Sequence, residues 1–406
     1  MRAKRTTAAL ATLLTCLAPS ALIGTASATP THIVPPPAPT PTDSGNSPAA
    51  PDPHPPRGGI GPHGEAVGGA RLLSRRDVLP PHAPALPDDL TAKSFVVANL
   101  DTGAVIAARD AHGRYQPASI QKLLTTVTLL PLLPGTKRVT VSRSAAETEG
   151  SHAGLVPGGN YTIDQIFRGL LLVSGNDCAE ALAQAAGGRA RTVALMNRTA
   201  TNLGAYDTLV QTPSGLDGWS QLTSAYDMML VLRAALAQPR FIAYDRVAHT
   251  YLPAQKAGDV APVPLWNQNE QFLTQVRGAL VAKTGYTDAA QHTFVGAIER
   301  GGHRYGVVLM RAQRWPDDQW VQATKLVKWA AALPTGTAPV GRLVTPAGPP
   351  APRPSSSAAR ARVHADVAAR KLTRDTGGVP TVLVIVLVVA LLGGATAFTA
   401  RHLRAQ

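Results

Sequence analysis

The sequence predicts an α/β domain of the α+β type, in which helices flank an antiparallel sheet and an all-helical lobe is inserted between the strands. Apolar runs at 94–100 and 104–108 enclose Asp-Thr-Gly and predict a β-hairpin, and runs at 293–298 and 305–310 around Gly-Gly predict another. Residues 160–250 carry several segments with helical periodicity. Strands at both ends of a domain, with helices between them, are accounted for by one sheet and an inserted lobe.

The other elements of the domain follow from local signals. Residues 119–133 have a helical apolar pattern, and a capping box at Thr162 predicts the start of another helix. A strand is predicted at 278–282 and a last helix at about 317–333. Together these elements occupy residues 91–333, which is long enough for a hydrophobic core of its own.

Composition predicts flexible segments on both sides of this domain. The chain has 406 residues, of which 36 are Gly and 35 are Pro, more than one packed domain would use. Residues 29–90 are Pro-rich and are predicted to be disordered. Residues 334–378, rich in Pro, Ala and Arg, are predicted to be a linker.

The two ends of the chain predict an extracytoplasmic location. Residues 1–28 combine basic residues, an apolar run and a small-residue cleavage pattern, which is typical of a signal peptide. Residues 379–400 carry no charge over 22 residues and predict a transmembrane helix. Two arginines in the tail 401–406 predict a cytoplasmic C-terminus. We therefore expect a single-pass protein of the cell membrane with the domain outside.

Charge and cysteine content narrow the possible functions. The net charge is +14, of which residues 334–406 contribute +7 and residues 1–84 contribute +3. The remaining +4 is spread over residues 85–333, so most of the basic excess lies in the terminal segments. This distribution argues against a nucleic-acid partner and favours a membrane surface. The two cysteines, Cys16 and Cys178, cannot form a disulfide framework or a Cys-based zinc site. We expect no metal and no cofactor, and we interpret Cys178 as a small buried residue.

The first candidate motif is Ser-Ile-Gln-Lys at the predicted start of a helix. Ser119 and Lys122 are three positions apart in the chain and therefore share a helix face. A serine needs a base to become a nucleophile, and a lysine becomes that base only if its pKa falls through burial or a neighbouring positive charge. The motif is short and could also be a surface serine beside a solvated lysine.

Two further motifs follow in the chain. Ser174, Gly175 and Asn176 lie between two helical runs, where a hydroxyl could relay a proton and an amide could hold a carbonyl. Lys283-Thr284-Gly285 follows the strand predicted at 278–282, so an ammonium and a hydroxyl would be presented to an anion at a strand end. Ser-Gly-Asn also occurs at 44–46, which shows how unspecific such a tripeptide is alone.

The three motifs, in this order within one domain, resemble those of serine-type D-alanyl-D-alanine carboxypeptidases, the low-molecular-weight penicillin-binding proteins. The resemblance covers about 90–333 and includes the runs 155–162, 213–217 and 283–287. It implies a fold like that of the serine DD-peptidases and β-lactamases. It also implies a peptidoglycan stem peptide ending in D-Ala-D-Ala as substrate, and β-lactams as inhibitors.

The resemblance implies catalytic roles for four residues. Ser119 would form the acyl-enzyme, and Lys122 would accept its proton. Ser174 would pass a proton to the leaving D-alanine. Asn176 would orient the substrate and the lysine.

The resemblance also implies a substrate-binding strand. Lys283 and Thr284 would bind the terminal carboxylate, and Gly285 would let the substrate backbone lie close. The backbone N–H groups of Ser119 and Tyr286 would form the oxyanion hole.

The sequence leaves the carboxylate-binding arginine and the exact reaction undecided. The sequence does not decide whether Arg311 or Arg314 helps to bind the carboxylate. A transpeptidase or endopeptidase of the same family would differ only in the acyl acceptor. A β-lactamase would need a deacylating glutamate, for which Glu270 is a partial match. A non-catalytic β-lactam sensor would need a cytoplasmic output domain, whereas only 401–406 is predicted to lie inside.

Overall fold

The computed structural model describes residues 58–345. The strands of this part of the chain are β1 (Asp77–Val78), β2 (Ser94–Asn99), β3 (Ala104–Arg109), β4 (Arg138–Thr140), β5 (Asn160–Thr162), β6 (His249–Leu252), β7 (Val263–Trp266), β8 (Ala279–Thr287), β9 (Gln291–Arg300), β10 (His303–Ala312) and β11 (Gly341–Arg342). Its α-helices are α1 (Lys122–Leu129), α2 (Arg143–Ala146), α3 (Ile163–Leu172), α4 (Asn176–Ala185), α5 (Arg189–Leu203), α6 (Ala225–Leu236), α7 (Pro239–Asp245), α8 (Glu270–Gln275) and α9 (Gln319–Ala331). Short 3-10 helices lie at Ala70–Leu73, Ala118–Gln121 and Ala257–Asp259.

The main sheet is antiparallel and is built from both ends of the domain, as predicted. Its strand order is β1-β3-β2-β10-β9-β8, and β11 also pairs with β3. The two predicted hairpins, β2–β3 and β9–β10, are present. They join where β10 pairs with β2, with Val307 opposite Val97.

Both faces of the sheet are covered, which explains why its strands are apolar throughout and do not alternate with polar residues. Val96 and Ala98 of β2 pack with α1 and α6 of the helical lobe. Phe95 and Val97, on the other face, pack with α9 through residues that include Leu326. Successive side chains of a strand point to opposite faces, so one strand contributes to two cores.

The inserted lobe lies between β3 and β8 in the chain, as predicted, but the prediction that it is all-helical is wrong. Two short antiparallel pairs, β4–β5 and β6–β7, lie among its helices. Thr162 caps α3: its hydroxyl accepts from the Gln165 backbone N–H, and the Gln165 side chain accepts from the Thr162 N–H. This confirms the predicted capping box. Cys178 of α4 is buried against Gly169, which confirms that it is a packed residue. Burial raises the pKa of its thiol well above the ordinary value.

The prediction that residues 29–90 are disordered is wrong for residues 58–90, which pack on the domain. Leu72 lies in a 3-10 helix and is completely buried, and β1 adds to the sheet beside β3. Three apolar side chains, Val67, Leu72 and Val78, attach this segment to the core. They are too few to outweigh the Pro-rich composition in a prediction from sequence.

Buried polar contacts hold the same segment at its start. The Gly59 N–H donates to Asp207 Oδ1 at 2.8 Å. His112 Nδ1 lies 2.7 Å from Asp207 Oδ2, and its Nε2 lies 3.1 Å from the Val67 carbonyl oxygen. The imidazole of His112 therefore lies between the N-terminal segment and the lobe, within hydrogen-bond distance of both.

The linker is predicted over residues 334–378, and its predicted start is also too early. Gly341 and Arg342 form β11 against β3, and Val340 and Leu343 are buried. The Tyr226 hydroxyl donates to the Arg342 carbonyl oxygen at 2.8 Å. The folded body therefore extends at least to residue 343.

Several predictions lie outside the described residues. They concern the signal peptide 1–28, the Pro-rich residues 29–57, the rest of the linker at 346–378, the transmembrane helix 379–400 and the tail 401–406. Within residues 58–345, no helix has both the length and the apolarity needed to cross a bilayer.

The packing of the N-terminal segment predicts an unequal response at two adjacent leucines. Leu72 is 0% exposed and Leu73 is 41% exposed. We expect Leu72→Ala to lower the free energy of unfolding by about 2–5 kcal/mol because it leaves a cavity. Leu73→Ala is the matched control and should change it by about 0.5 kcal/mol or less. Equal effects in urea denaturation would show that the segment does not belong to the core.

Candidate active site

Ser119 lies in the 3-10 helix Ala118–Gln121, immediately before α1. Side chains three residues apart are eclipsed in a 3-10 helix, so Ser119 and Lys122 meet directly. The distance from Lys122 Nζ to Ser119 Oγ is 2.8 Å. Ala118 has a positive φ of 48°, an uncommon conformation for a residue with a side chain. Ser119 is half-buried, so its hydroxyl remains accessible beside a buried amine.

Lys122 is completely buried and is surrounded by hydrogen-bond acceptors. Its Nζ lies 2.7 Å from Asn176 Oδ1 and 2.6 Å from the Ser214 carbonyl oxygen. A neutral amine has two N–H groups and one lone pair. Donation to these two acceptors leaves the lone pair for the Ser119 hydroxyl, so the contacts fit a neutral amine that acts as a base.

The electrostatic surroundings favour the same protonation state. Burial, and after it the positive charge of Lys283, hold the pKa of Lys122 well below its usual value of 10.5. An amine with a lowered pKa is available to take the proton of a serine at neutral pH.

Asn176 is the first residue of α4, and both ends of its side-chain amide are engaged. Its Nδ2 donates to the Glu149 carbonyl oxygen at 2.7 Å, while Oδ1 accepts from Lys122. The amide is therefore held in one orientation. The Asn176 backbone N–H donates to the Ser151 carbonyl oxygen at 2.7 Å. This hydrogen bond ties the loop that contains Glu149 and Ser151 to α4.

Asp177 organises that loop, and the sequence analysis did not identify it. Its carboxylate accepts from the backbone N–H groups of Ala153, Gly154 and Leu155 at 2.9–3.1 Å. The only hint in the sequence is its position in the first turn of a helix, where a carboxylate is favourable.

Ser174 lies between α3 and α4 and is only 3% exposed. Its φ is +61°, which is strained for a serine and directs the side chain away from the path of a regular helix. Its Oγ is buried and has no hydrogen-bond partner among residues 58–345. A buried hydroxyl without a partner is unfavourable in the free protein and is available to a bound molecule.

The Lys-Thr-Gly motif lies inside a strand rather than after one. The strand predicted at 278–282 extends to Thr287, because β8 continues to pair with β9 through this motif. β8 is the last strand in the sheet order, so no strand within residues 58–345 pairs with its outer edge, and an extended peptide could add there. A Cβ on Gly285 would lie 2.7 Å from the Ser119 nitrogen, so glycine is what allows this edge to approach the nucleophile.

Lys283 and Thr284 occupy opposite sides of β8, because strand side chains alternate. Lys283 is buried, and its Nζ donates to the Thr284 carbonyl oxygen at 2.6 Å. The Thr284 hydroxyl accepts from Gln319 Nε2 of α9 at 2.9 Å. The two side chains therefore flank the strand from opposite faces.

Asp245, at the end of α7, is a second residue that the sequence analysis missed. It is buried, and its Oδ2 accepts from the Ala282 N–H at 2.9 Å. Burial raises the pKa of Asp245 to about 7. Burial also lowers the pKa of Lys283 to about 8, and the charge of Asp245 opposes that shift. Nothing in the local sequence links residue 245 to the motif.

The remaining candidate residues are Tyr286 and the two arginines, Arg311 and Arg314. Tyr286 is 56% exposed, and its hydroxyl donates to Asp288 at 2.9 Å. Arg314 is engaged by Asp318 at 2.6 Å. Arg311 lies in the bulge of β10 with a φ of +51°, and its buried Nε has no partner within the described part of the chain.

These features define a class of site before any relative is considered. A half-buried serine contacts a buried lysine, and a second serine has a buried hydroxyl without a partner among residues 58–345. The last strand of the sheet lies beside the first serine. Such an arrangement can support acyl transfer by a serine with a lysine as its base.

Comparison with known proteins gives the family. Residues 81–314 match the D-alanyl-D-alanine carboxypeptidase family, peptidase family S11. D-alanyl-D-alanine carboxypeptidase DacB2 of Mycobacterium tuberculosis is 39% identical over 261 residues, which cover 63% of this chain and 88% of the relative. DacF of Bacillus subtilis is 30% identical over 59% of this chain and 62% of its own length.

Solved structures agree with this assignment. The crystal structure of a D-alanyl-D-alanine carboxypeptidase from M. tuberculosis H37Rv has a TM-score of 0.62 at 38% identity, over 66% of this chain and 100% of that one. A Streptomyces K15 DD-transpeptidase variant has a TM-score of 0.56 at 25% identity, over 62% of this chain and 100% of the other. The chain belongs to the S11 family and is a D-alanyl-D-alanine carboxypeptidase of that class.

Proposed function

We propose that this protein is a membrane-anchored, extracytoplasmic enzyme that removes the terminal D-alanine from peptidoglycan stem peptides through a Ser119 acyl-enzyme. The observation that carries the proposal is the 2.8 Å contact between Ser119 Oγ and the completely buried amine of Lys122. The family to which the chain belongs supports D-Ala-D-Ala peptides as substrates and β-lactams as inhibitors.

Acylation begins when Lys122 Nζ takes the hydroxyl proton of Ser119. Ser119 Oγ then attacks the carbonyl carbon of the penultimate D-alanine and forms a tetrahedral oxyanion. The backbone N–H groups of Ser119 and Tyr286 stabilise that oxyanion. An oxyanion-hole donor of this kind typically contributes about 10²–10³ in rate.

Collapse of this intermediate breaks the peptide bond and releases D-alanine. Its amine must gain a proton as the bond breaks, and we assign delivery of that proton to the Ser174 hydroxyl. The proton now on Lys122 replaces the one that Ser174 gives up. Water then attacks the ester, its proton returns through the same groups, and Ser119 is regenerated.

The terminal carboxylate of the peptide binds at the outer edge of β8, where an extended peptide can add to the sheet. Lys283 and Thr284 flank that edge from its two sides. Of the two arginines left open by the sequence, we favour Arg311, because Arg314 is paired with Asp318 while the Nε of Arg311 is buried without a partner among residues 58–345.

Transfer of the acyl group to an amine is a second candidate activity. The relative from Streptomyces K15 is named a D-alanyl-D-alanine carboxypeptidase, and its solved structures are named DD-transpeptidase. The two reactions share acylation and differ in whether water or an amine accepts the acyl group. The β-lactamase alternative gains no support, because Glu270 is exposed at the start of α8.

The two serines have separable roles that a substitution series tests. Ser119→Ala should abolish labelling by a fluorescent penicillin and lower D-alanine release from a pentapeptide by roughly 10⁴-fold or more. Ser174→Ala should slow D-alanine release by about 10²–10⁴-fold while retaining part of the penicillin labelling, because it removes only a proton donor. Ser151→Ala, an exposed serine in the neighbouring loop, is the control and should behave like wild type. Wild-type labelling of Ser119→Ala would refute the assignment of the nucleophile.

The proposed membrane topology rests on sequence features outside the described residues. The signal peptide 1–28 would direct export, and the uncharged run 379–400 would anchor the protein. The basic tail 401–406 would stay in the cytoplasm. The folded body would then be tethered outside by the residues that follow 345.

Protease accessibility tests this topology. Protease added to intact spheroplasts should cut between residues 346 and 378 and release a soluble, active domain, since the proposed topology places that segment outside the membrane. A cytoplasmic marker protein should stay intact in the same sample. A domain that remains protected and membrane-bound would show that the orientation is wrong.

A further inference from the structure

The hairpin formed by β6 and β7 carries an exposed aromatic face that the proposed reaction does not use. His249 pairs with Trp266, and Tyr251 pairs with Pro264 across the two strands. The alternating residues Leu252 and Leu265 are buried in the lobe, so the other face points to solvent. Tyr251 is 56% exposed and Trp266 is 58% exposed. We call His249, Tyr251 and Trp266 the aromatic platform.

The rings of the platform are ordered by one another. His249 stacks on Trp266 with ring centroids 4.9 Å apart and an interplanar angle of 28°. Tyr251 meets His249 edge to face at 6.4 Å. These contacts fix the rings in place and keep a flat surface open to solvent.

The platform is followed in the chain by a residue that contacts the segment before Ser174. Gln268, two residues after Trp266, donates through its backbone N–H to the Leu172 carbonyl oxygen at 2.9 Å. Its Nε2 donates to the carbonyl oxygen of Val173 at 3.2 Å, immediately before Ser174. Gln268 also lines a small cavity together with Thr284. Two residues span at most about 7 Å, so the Trp266 backbone lies within about that distance of the residue that contacts Val173, immediately before Ser174.

We propose that the aromatic platform binds the glycan strand to which the substrate peptide is attached. This inference rests on the proposed function, because it assumes a peptide joined to a polysaccharide. The acylated part of a pentapeptide has four residues and spans at most about 14 Å, so its sugar end can reach a surface next to the cleft. Sugar C–H bonds carry partial positive charge and pack on the negative faces of aromatic rings.

The chemistry of the surface favours a sugar over a lipid. Trp and Tyr also occur at membrane interfaces, but a patch that inserts further adds aliphatic side chains to them. The leucines of this hairpin, Leu252 and Leu265, are buried in the lobe and are not available for insertion. The exposed side of the hairpin offers flat rings, and the side-chain amide of the exposed residue Gln268 lies at its border. Rings with nearby amides match the C–H faces and hydroxyl groups of a sugar.

The test compares two substrates across ring-retaining and ring-removing variants of the full-length chain in detergent. The substrates are a free pentapeptide and the same pentapeptide attached to a disaccharide of N-acetylglucosamine and N-acetylmuramic acid. We expect wild type and Trp266→Tyr to prefer the sugar-linked substrate. Trp266→Leu and Tyr251→Leu should each lower that preference by about three- to tenfold. The kcat/KM for the free peptide should not change in any variant.

Two outcomes would overturn the proposal. Wild type could show no preference for the sugar-linked peptide, or Trp266→Leu could retain it. The second result would mean that apolar contact suffices, as for a membrane-facing patch. Binding of peptide-free glycan strands, measured by isothermal titration calorimetry, gives a readout independent of cleavage. Loss of glycan binding only in the ring-removing variants would support glycan binding by the platform, even if the proposed reaction fails. Equal glycan binding in all variants would refute it, even if the reaction succeeds.

Discussion

The burial of the Lys122 amine is the constraint on which the site depends. An ammonium group is stable in water and costly to bury, so burial favours the neutral amine. Two carbonyl acceptors, on Asn176 and Ser214, leave the third position of the nitrogen for Ser119. In the proposed mechanism this burial is what turns an ordinary lysine into a base, and its hydrogen-bond partners within residues 58–345 are Ser119, Asn176 and Ser214.

The surrounding fold maintains this arrangement at a distance. Lys283 supplies a positive charge that lowers the pKa of Lys122, and the carboxylate of Asp245 favours the charged form of Lys283. The main sheet brings β8 to the nucleophile, and Gly285 permits the close approach. The Thr293 hydroxyl donates a hydrogen bond to the Pro117 carbonyl oxygen at 3.0 Å. This hydrogen bond ties β9 to the start of the 3-10 helix that carries Ser119.

Much of this structure could be predicted from sequence because its signals are local. Hairpins, the capping box at Thr162 and the pairing of Ser119 with Lys122 depend on short spacings. The missing parts depend on contacts between distant residues. Asp245 reaches β8 from another element, and Ser214 acts through a backbone carbonyl, which no side chain encodes. Residues 58–90 were misjudged because Pro-rich composition outweighed a few buried apolar residues.

The most direct test of the account is the titration of the Lys122 amine. Carbon-13 NMR of the lysine Cε atoms, with the Lys122 signal assigned by its absence in Lys122→Met, reports that pKa. The account predicts titration well below the usual value of 10.5, and a rise toward that value in Lys283→Met, because the neighbouring charge is removed. Titration of Lys122 near 10.5 in the wild-type protein would contradict the role of the buried lysine as the base.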